Sequence, residues 1–122
     1  MNSLELAQHA AKLASDKKAF RIKIQDLRGF SDLCEFQLVC SGSNAKQAQA
    51  ICDNIQVILK NEHGMQAVAI EGKGSGQWIL MDYGNTIIHV FSDQIRDYYA
   101  LESLWPKAKF VAQKDEVQQS EA

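Results

Sequence analysis

The residues best placed for chemistry form the turn Ser41-Gly42-Ser43, where a predicted strand passes into a predicted helix. A Gly-Ser turn that opens a helix can hold a triphosphate, because its N–H groups and the helix dipole favour anions. Nucleotidyl transfer also needs two or three carboxylates that bind magnesium ions. No later predicted strand carries two acids at i and i+2, and the helix over 45–62 occupies the expected place. The turn therefore supports a nucleotide-binding or nucleotidyltransferase-type enzyme only as an alternative to a function without catalysis.

The other reactive residues do not form a recognisable catalytic or metal-binding pattern. A P-loop places Gly-Lys-Ser/Thr directly before a helix, whereas here Lys73 precedes Gly74 and a strand follows. The histidines and cysteines stand far apart in the sequence, at His9, His63, His89, Cys34, Cys40 and Cys52. Their spacing matches neither a zinc site nor a redox pair, and no serine or cysteine nucleophile is paired with a histidine. The residues predict no catalytic site, no cofactor and no metal, so we do not expect an enzyme.

Length and charge narrow the class of protein. A chain of 122 residues is the size of one domain. Its net charge of −2 argues against binding nucleic acid mainly through phosphates, but suits docking on a basic protein. No apolar run approaches the roughly 20 residues that span a bilayer, and the first 16 residues do not resemble a signal peptide. We expect a cytoplasmic protein with no membrane contact and no primary nucleic-acid site.

Hydrophobic periodicity predicts the order α-β-β-α-β-β-β-α, an α/β fold in which helices flank a five-stranded mixed sheet. The predicted helices span 4–18, 45–62 and 93–105, and the strands span 20–25, 35–40, 66–70, 78–83 and 86–91. Strand 20–25 alternates apolar and polar residues, which indicates one solvent-facing side near a sheet edge. The third strand can run parallel to the second through a helical crossover. Residues 1–106 would form the domain, and 107–122 would be a polar, mobile tail.

The last two strands are predicted to form a hairpin, because Gly84-Asn85 favours a two-residue turn. The register pairs Trp78 with Phe91, Leu80 with His89, and Asp82 with Ile87, so that these six share one side. The apolar side opposite them must face the core: Ile79, Met81, Tyr83, Thr86, Ile88 and Val90. The first side mixes aromatic rings with an acid and an imidazole. Either a helix of the chain or another protein could cover it.

Several motifs together resemble the ribosomal silencing factor family, the Iojap-like proteins. The likeness covers roughly residues 2–110 and lies in Asp26-Leu27-Arg28-Gly29, Ser41-Gly42-Ser43 with Gln47, Glu71-Gly72, and the runs 76–84, 88–91 and 96–105. The resemblance implies a nucleotidyltransferase-like fold without catalytic carboxylates. It also implies binding to a basic β-barrel protein on the intersubunit face of the large ribosomal subunit. The bound factor would block the small subunit and repress translation under nutrient limitation, and the free protein could form a homodimer.

The resemblance also implies a set of protein-binding residues. They lie in the hairpin and in the run before Pro106: Trp78, Asp82, Tyr83, Tyr99, Leu101, Glu102, Leu104 and Trp105. Trp and Tyr give buried anchor area at interfaces, and the two acids suit a basic partner. Core positions remain an alternative for Trp78, Leu104 and Trp105, and the hairpin register places Tyr83 on the core side. Many family members have Gly-Asp in the hairpin turn, whereas this chain has Gly84-Asn85.

Overall fold

A computed structural model describes residues 1–112, and they form a five-stranded mixed sheet with helices on both faces. In chain order the elements are α1 (Ser3–Asp16), β1 (Phe20–Asp26), β2 (Phe36–Gly42), α2 (Ala45–His63), β3 (Ala69–Glu71), β4 (Trp78–Asp82), β5 (Thr86–Ser92), α3 (Asp93–Tyr99) and a 3₁₀ turn (Leu101–Leu104). The predicted order α-β-β-α-β-β-β-α is confirmed. Within these 112 residues, no helix combines the length and apolarity needed to cross a bilayer.

Capping residues define the start of both long helices and the end of α2. The side chain of Asn2 accepts a hydrogen bond from the Glu5 N–H, and the Glu5 side chain accepts one from the Asn2 backbone N–H. Asn44 caps α2 in the same way through the Gln47 N–H. Gly64 ends α2 in the left-handed region, at φ 65°. Both helices pack on one face of the sheet and bury Ile79, Met81, Ile88 and Val90 beneath them.

The strand order is β1-β2-β5-β4-β3, with β2 and β5 parallel and the other neighbours antiparallel. The third strand does run in the direction of β2, but two strands separate them, so the crossover through α2 does not join neighbours. Differences in burial between the strands explain this strand order. β5 is apolar on both faces and takes the central place beside β2, whereas the three-residue β3 is largely exposed and lies at the edge.

The predicted hairpin register is confirmed. Trp78 pairs with Phe91, Leu80 with His89, and Asp82 with Ile87. Gly84 has φ 90°, as a two-residue hairpin turn with glycine in the first central position requires. The hairpin therefore presents one side to α1 and α2 and the other side to α3.

The predicted helix over 93–105 is wrong in one respect, because it breaks at Ala100. Ala100 adopts the left-handed conformation (φ 48°, ψ 47°), and the chain continues as the 3₁₀ turn. A continuous helix would spread its large side chains around the whole circumference, whereas only one side of α3 faces the sheet. The break redirects the chain so that the run before Pro106 crosses the sheet. The left-handed conformation costs a residue with a side chain about 1–2 kcal/mol, which tertiary contacts must offset.

Residues 107–112 follow the edge of the sheet. The Asp26 N–H donates to the Lys109 carbonyl, the Val111 N–H donates to the Ile24 carbonyl, and Phe110 forms a bridge with Gln25. Ala108 is buried. This part of the predicted tail thus covers the outer edge of β1. The remainder of the predicted tail, 113–122, lies outside the described residues.

The loop between β3 and β4 requires glycine at its start. Gly72 has φ 81°, and a Cβ atom added there would lie 2.0 Å from the carbonyl oxygen of Trp78. Gly74 in the same loop has no atom within 4 Å of such a Cβ. The loop therefore offers a matched pair of substitutions.

We expect Gly72→Ala to lower the free energy of unfolding by about 2 kcal/mol or more, since it adds both backbone strain and a clash with β4. Gly74→Ala should change it by less than about 1 kcal/mol in either direction. Urea denaturation of the two variants checks this. Equal stabilities would show that the loop does not hold β4 in place.

Candidate protein-binding surface

An aromatic cluster covers the end of the hairpin on the side that faces α3. The Trp78 ring stacks on Phe91 with 5.2 Å between centroids and lies 4.4 Å from Tyr99 of α3. The Trp78 Nε1–H donates to Nδ1 of His89 at 3.0 Å. Phe91 and His89 are buried, whereas Trp78 is half-buried. A helix of the chain, α3, therefore covers the inner rings of this side and leaves Trp78 at the rim, while cover by another protein stays a prediction.

Beyond Trp78 the cluster continues into an exposed apolar strip. Tyr98 is 80% exposed, Tyr99 47% and Leu104 63%. We define the candidate surface by the half-buried and exposed apolar side chains of this region: Trp78, Leu80, Tyr98, Tyr99, Leu101, Leu104 and Trp105. Contiguous exposed apolar side chains in a folded chain mark sites of protein contact.

An apolar cavity of about 180 Å³ opens between the 3₁₀ turn and the loop after β1. Leu33, on the loop side, is 81% exposed. The cavity adjoins the candidate surface and shares three residues with it. Its apolar lining includes Leu27, Leu33, Leu80, Ile87, Leu101 and Trp105. A concave apolar site of this size can receive one aliphatic or aromatic side chain.

The buried guanidinium of Arg96 fixes α3 and the 3₁₀ turn to the sheet. It donates to the Glu102 carboxylate at 3.0 Å, to the Ser41 hydroxyl at 3.1 Å and to the backbone carbonyl of Arg21. Arg96 is only 2% exposed. A buried charge is stable only when it is paired and hydrogen-bonded, so these partners must stay in place together. The sequence did not predict that Arg96 is buried, because an arginine in a helix is usually exposed to solvent.

Arg21 reaches the same region from an irregularity in β1. The pairing of β1 with β2 shifts between Phe20 and Lys23, and Arg21 has φ 51°. Its side chain pairs with Asp93 and Asp97 of α3, both at 2.7 Å. A bulge of this kind re-aims backbone and side chain together. Here it turns the Arg21 carbonyl toward Arg96 and the guanidinium toward the acids of α3.

Gln25 supports the 3₁₀ turn from beneath. Its Nε2 donates to the carbonyls of Glu102 and Trp105 at 3.2 Å each, and its Oε1 accepts from Gln37 at 2.9 Å. Gln25 is 1% exposed, so the expectation that this side of β1 faces solvent is wrong at Gln25. The 3₁₀ turn covers it, and the glutamine satisfies carbonyls that would otherwise be buried without partners.

Most of the sequence-predicted binding residues come together on this face: Trp78, Tyr99, Leu101, Glu102, Leu104 and Trp105. The acids also have partners within the chain. Asp82, at the far end of β4, accepts a hydrogen bond from the Gly84 N–H at 2.8 Å. Glu102 pairs with Arg96. Each carboxylate can accept about four hydrogen bonds, so a second protein can still use the remaining positions.

Tyr83 lies apart from the others. It packs against the core formed with α1 and α2, as the hairpin register predicts. Its hydroxyl is buried without a hydrogen-bond partner, and burial raises the pKa of Tyr83 to about 12. A cavity of about 300 Å³ near the N-terminus of α1 includes Tyr83 in its lining.

The turn that suggested nucleotide binding uses its polar groups within the chain. The Ser43 N–H donates to the Gln47 side chain, and the Ser41 hydroxyl accepts from Arg96. A Cβ at Gly42 would lie 2.9 Å from the Ala48 nitrogen, so glycine here serves the close packing of β2 on α2. No group of three or more metal-ligating side chains occurs within residues 1–112. The Ser43 N–H, which a phosphate would need, is thus already engaged.

Lys73, in the glycine-rich loop, is engaged as well. Its ammonium pairs with Asp53 of α2 at 2.5 Å and donates to the Gln56 side chain at 3.3 Å. The loop therefore packs on the outer side of α2, where it connects β3 to β4.

Comparison with known proteins gives consistent matches over almost the whole chain. Residues 1–122 match the family model described as ribosomal silencing factor during starvation. The chain is 36% identical over 111 residues to the ribosomal silencing factor RsfS of Halalkalibacterium halodurans, covering 91% of this chain and 94% of that one. It is 37% identical over 108 residues to RsfS of Bacillus subtilis, covering 88% and 91%. A crystal structure of a protein from Chromobacterium violaceum matches with a TM-score of 0.83 at 32% identity, covering 93% of each chain.

The buried His89 at the base of the candidate surface makes stability depend on pH. Burial lowers the pKa of His89 to about 4, and the Trp78 N–H can only donate to an unprotonated Nδ1. Between about pH 6.5 and pH 4, His89 is protonated in the unfolded chain but not in the folded chain. Stability is therefore fully present above pH 6.5 and falls as the pH drops toward 4, by about 3 kcal/mol.

His89→Gln should lose this component, so its free energy of unfolding should fall less steeply than that of the natural chain between pH 6.5 and 4. Urea titrations at several pH values measure the two slopes. Identical slopes would mean that His89 titrates normally in the folded protein.

Proposed function

The chain belongs to the ribosomal silencing factor family, and on this premise we propose that it binds the large ribosomal subunit and prevents the small subunit from joining. The bound partner is a basic β-barrel protein on the intersubunit face. A chain of 13.6 kDa held there occupies space that the small subunit needs. Translation then falls while the factor is bound, as the starvation response in the family description suggests.

One observation carries the choice of surface: exposed apolar side chains stand on a rigid, internally hydrogen-bonded support. Tyr99 and Leu104 are 47% and 63% exposed, while Arg96 and Gln25 hold the same segment to the sheet. A backbone segment held in one place loses little conformational entropy when its side chains bind a partner. Interface hot spots combine such preorganised aromatic anchors with a surrounding rim that excludes water.

Charge complementarity supports a basic partner. The chain has a net charge of −2. Glu102 lies in the 3₁₀ turn of the candidate surface, and Asp82 is paired across the hairpin with Ile87, which lines the adjoining cavity. Both carboxylates keep acceptor positions beyond their internal hydrogen bonds. Carboxylates at a rim increase the rate of encounter with a basic protein and fix its register, and they contribute less to the final affinity. The apolar anchors therefore supply most of the binding energy in this proposal.

Nucleotide binding has weaker support as the function. The Ser43 N–H donates to the Gln47 side chain, the Ser41 hydroxyl accepts from Arg96, and Lys73 is paired with Asp53. We propose a regulatory role without catalysis. A cytoplasmic location follows from the ribosomal partner, and a homodimer of the free protein stays a prediction.

Leu104→Asp tests the proposed surface with little risk to the fold, because the side chain is 63% exposed. We expect affinity for purified large subunits to fall by about tenfold or more, since a charge replaces an apolar anchor. Sedimentation through a sucrose gradient measures the bound fraction. In a subunit-joining assay, the variant should leave more 70S particles than the natural chain does.

Val57→Asp is the matched control. Val57 is 51% exposed on α2, which packs on the opposite face of the sheet. This variant should sediment with large subunits as the natural chain does. If both variants bind normally, the candidate surface is wrong; if Val57→Asp alone loses binding, the contact lies on the α2 side.

A further inference from the structure

Two histidines that are 54 positions apart in the sequence meet where α1 packs against α2. His9 lies on α1, and His63 is the last residue of α2. Their Nε2 atoms are 3.2 Å apart, their ring centroids 4.7 Å, and the ring planes are at 81°. The sequence gives no sign of this pairing, because it depends on how the two helices cross.

The spacing of the two nitrogens suits a shared metal ion. A tetrahedral zinc ion with metal–nitrogen distances of about 2.0–2.1 Å holds its ligand nitrogens about 3.3 Å apart. When no ion is bound, one imidazole donates its Nε2–H to the other, and a change of tautomer at the donor ring frees both Nε2 lone pairs for an ion. His63 also stands at the C-terminal end of α2, where the helix dipole favours a cation.

We propose that His9 and His63 form a binding site for one transition-metal ion that links α1 to α2. Imidazole ligands select zinc, nickel or copper, whereas magnesium and calcium require oxygen ligands. Within residues 1–112 no third histidine, cysteine or carboxylate completes the group. Water therefore fills the remaining coordination positions of the ion, and only two protein ligands contribute to the affinity for the metal.

The ion would act on the stability of the fold. Both helices cover the same face of the sheet, and in the unfolded chain the two imidazoles are far apart, so the ion favours the folded state. The site lies on the opposite face from the candidate surface. Metal binding and ribosome binding are thus independent, and this proposal does not rest on the proposed function.

Calorimetry with zinc chloride tests the site, using the full chain without a polyhistidine tag. We expect one ion per chain, and a thermal midpoint that rises by about 5–10 °C when free zinc exceeds its dissociation constant about 100-fold. Magnesium chloride should leave the midpoint unchanged. His9→Gln and His63→Gln should each weaken zinc binding by about tenfold or more.

Lys60→Gln is the matched control, because Lys60 lies in the last turn of α2 but has no imidazole. It should bind zinc as the natural chain does. The proposal is overturned if zinc does not saturate at one ion per chain, or if either histidine variant binds with unchanged affinity. Light scattering should show no change in molar mass with zinc, and a doubled mass would replace the internal site with a bridge between two chains.

Discussion

The burial of one positive charge organises the half of the molecule that we assign to function. The Arg96 guanidinium has almost no contact with water, so it needs acceptors in the positions where its N–H groups point. Those acceptors come from three separate elements: a carbonyl of β1, a hydroxyl of β2 and a carboxylate of the 3₁₀ turn. Removing one partner of such a group typically costs about 3–5 kcal/mol. The guanidinium therefore fixes the path of the chain after α3.

This constraint explains the exposed side chains. A segment that ends in Leu104 and Trp105 would gain from folding its apolar residues inward, yet Leu104 stays in solvent. The hydrogen bonds of Arg96 and Gln25 hold the backbone across the sheet, and the left-handed Ala100 sets the direction in which it crosses. The same path of the backbone thus buries Arg96 and Gln25 and leaves Leu104 exposed. Polar groups fix the backbone, which leaves apolar side chains available for a second protein.

Periodicity and turn chemistry were sufficient to predict the order of the elements along the chain, but not the break in the last helix or the order of the strands in the sheet. The alternation around Gly84-Asn85 predicted the hairpin register residue by residue, and the hydrophobic periodicity predicted both ends of the two long helices to within two residues. These features depend on contacts between residues close in sequence. The position of β3 at the edge could not be predicted in this way, because strand order depends on which strand is apolar on both faces.

The details of the candidate surface depend on long-range polar contacts, which leave little trace in a hydrophobic pattern. Gln25 and Arg96 are of residue types that usually face solvent, yet both are buried. The 3₁₀ turn covers Gln25, and acceptors on β1 and β2 bind the guanidinium of Arg96. The break at Ala100 could not be predicted, because no glycine or proline stands at or next to this position. The composition of the hairpin and the run before Pro106 did indicate an aromatic surface, and the resemblance to the family indicated which residues to place on it.

Hydroxyl-radical footprinting of the chain, free and bound to purified large ribosomal subunits, tests the central claim most directly. It reports the solvent exposure of individual side chains without any substitution. Binding through the candidate surface predicts protection of Tyr98, Tyr99 and Leu104, with unchanged reactivity at Val57 on α2. Protection at Val57 with full reactivity at Leu104, or no protection at either residue, would contradict it.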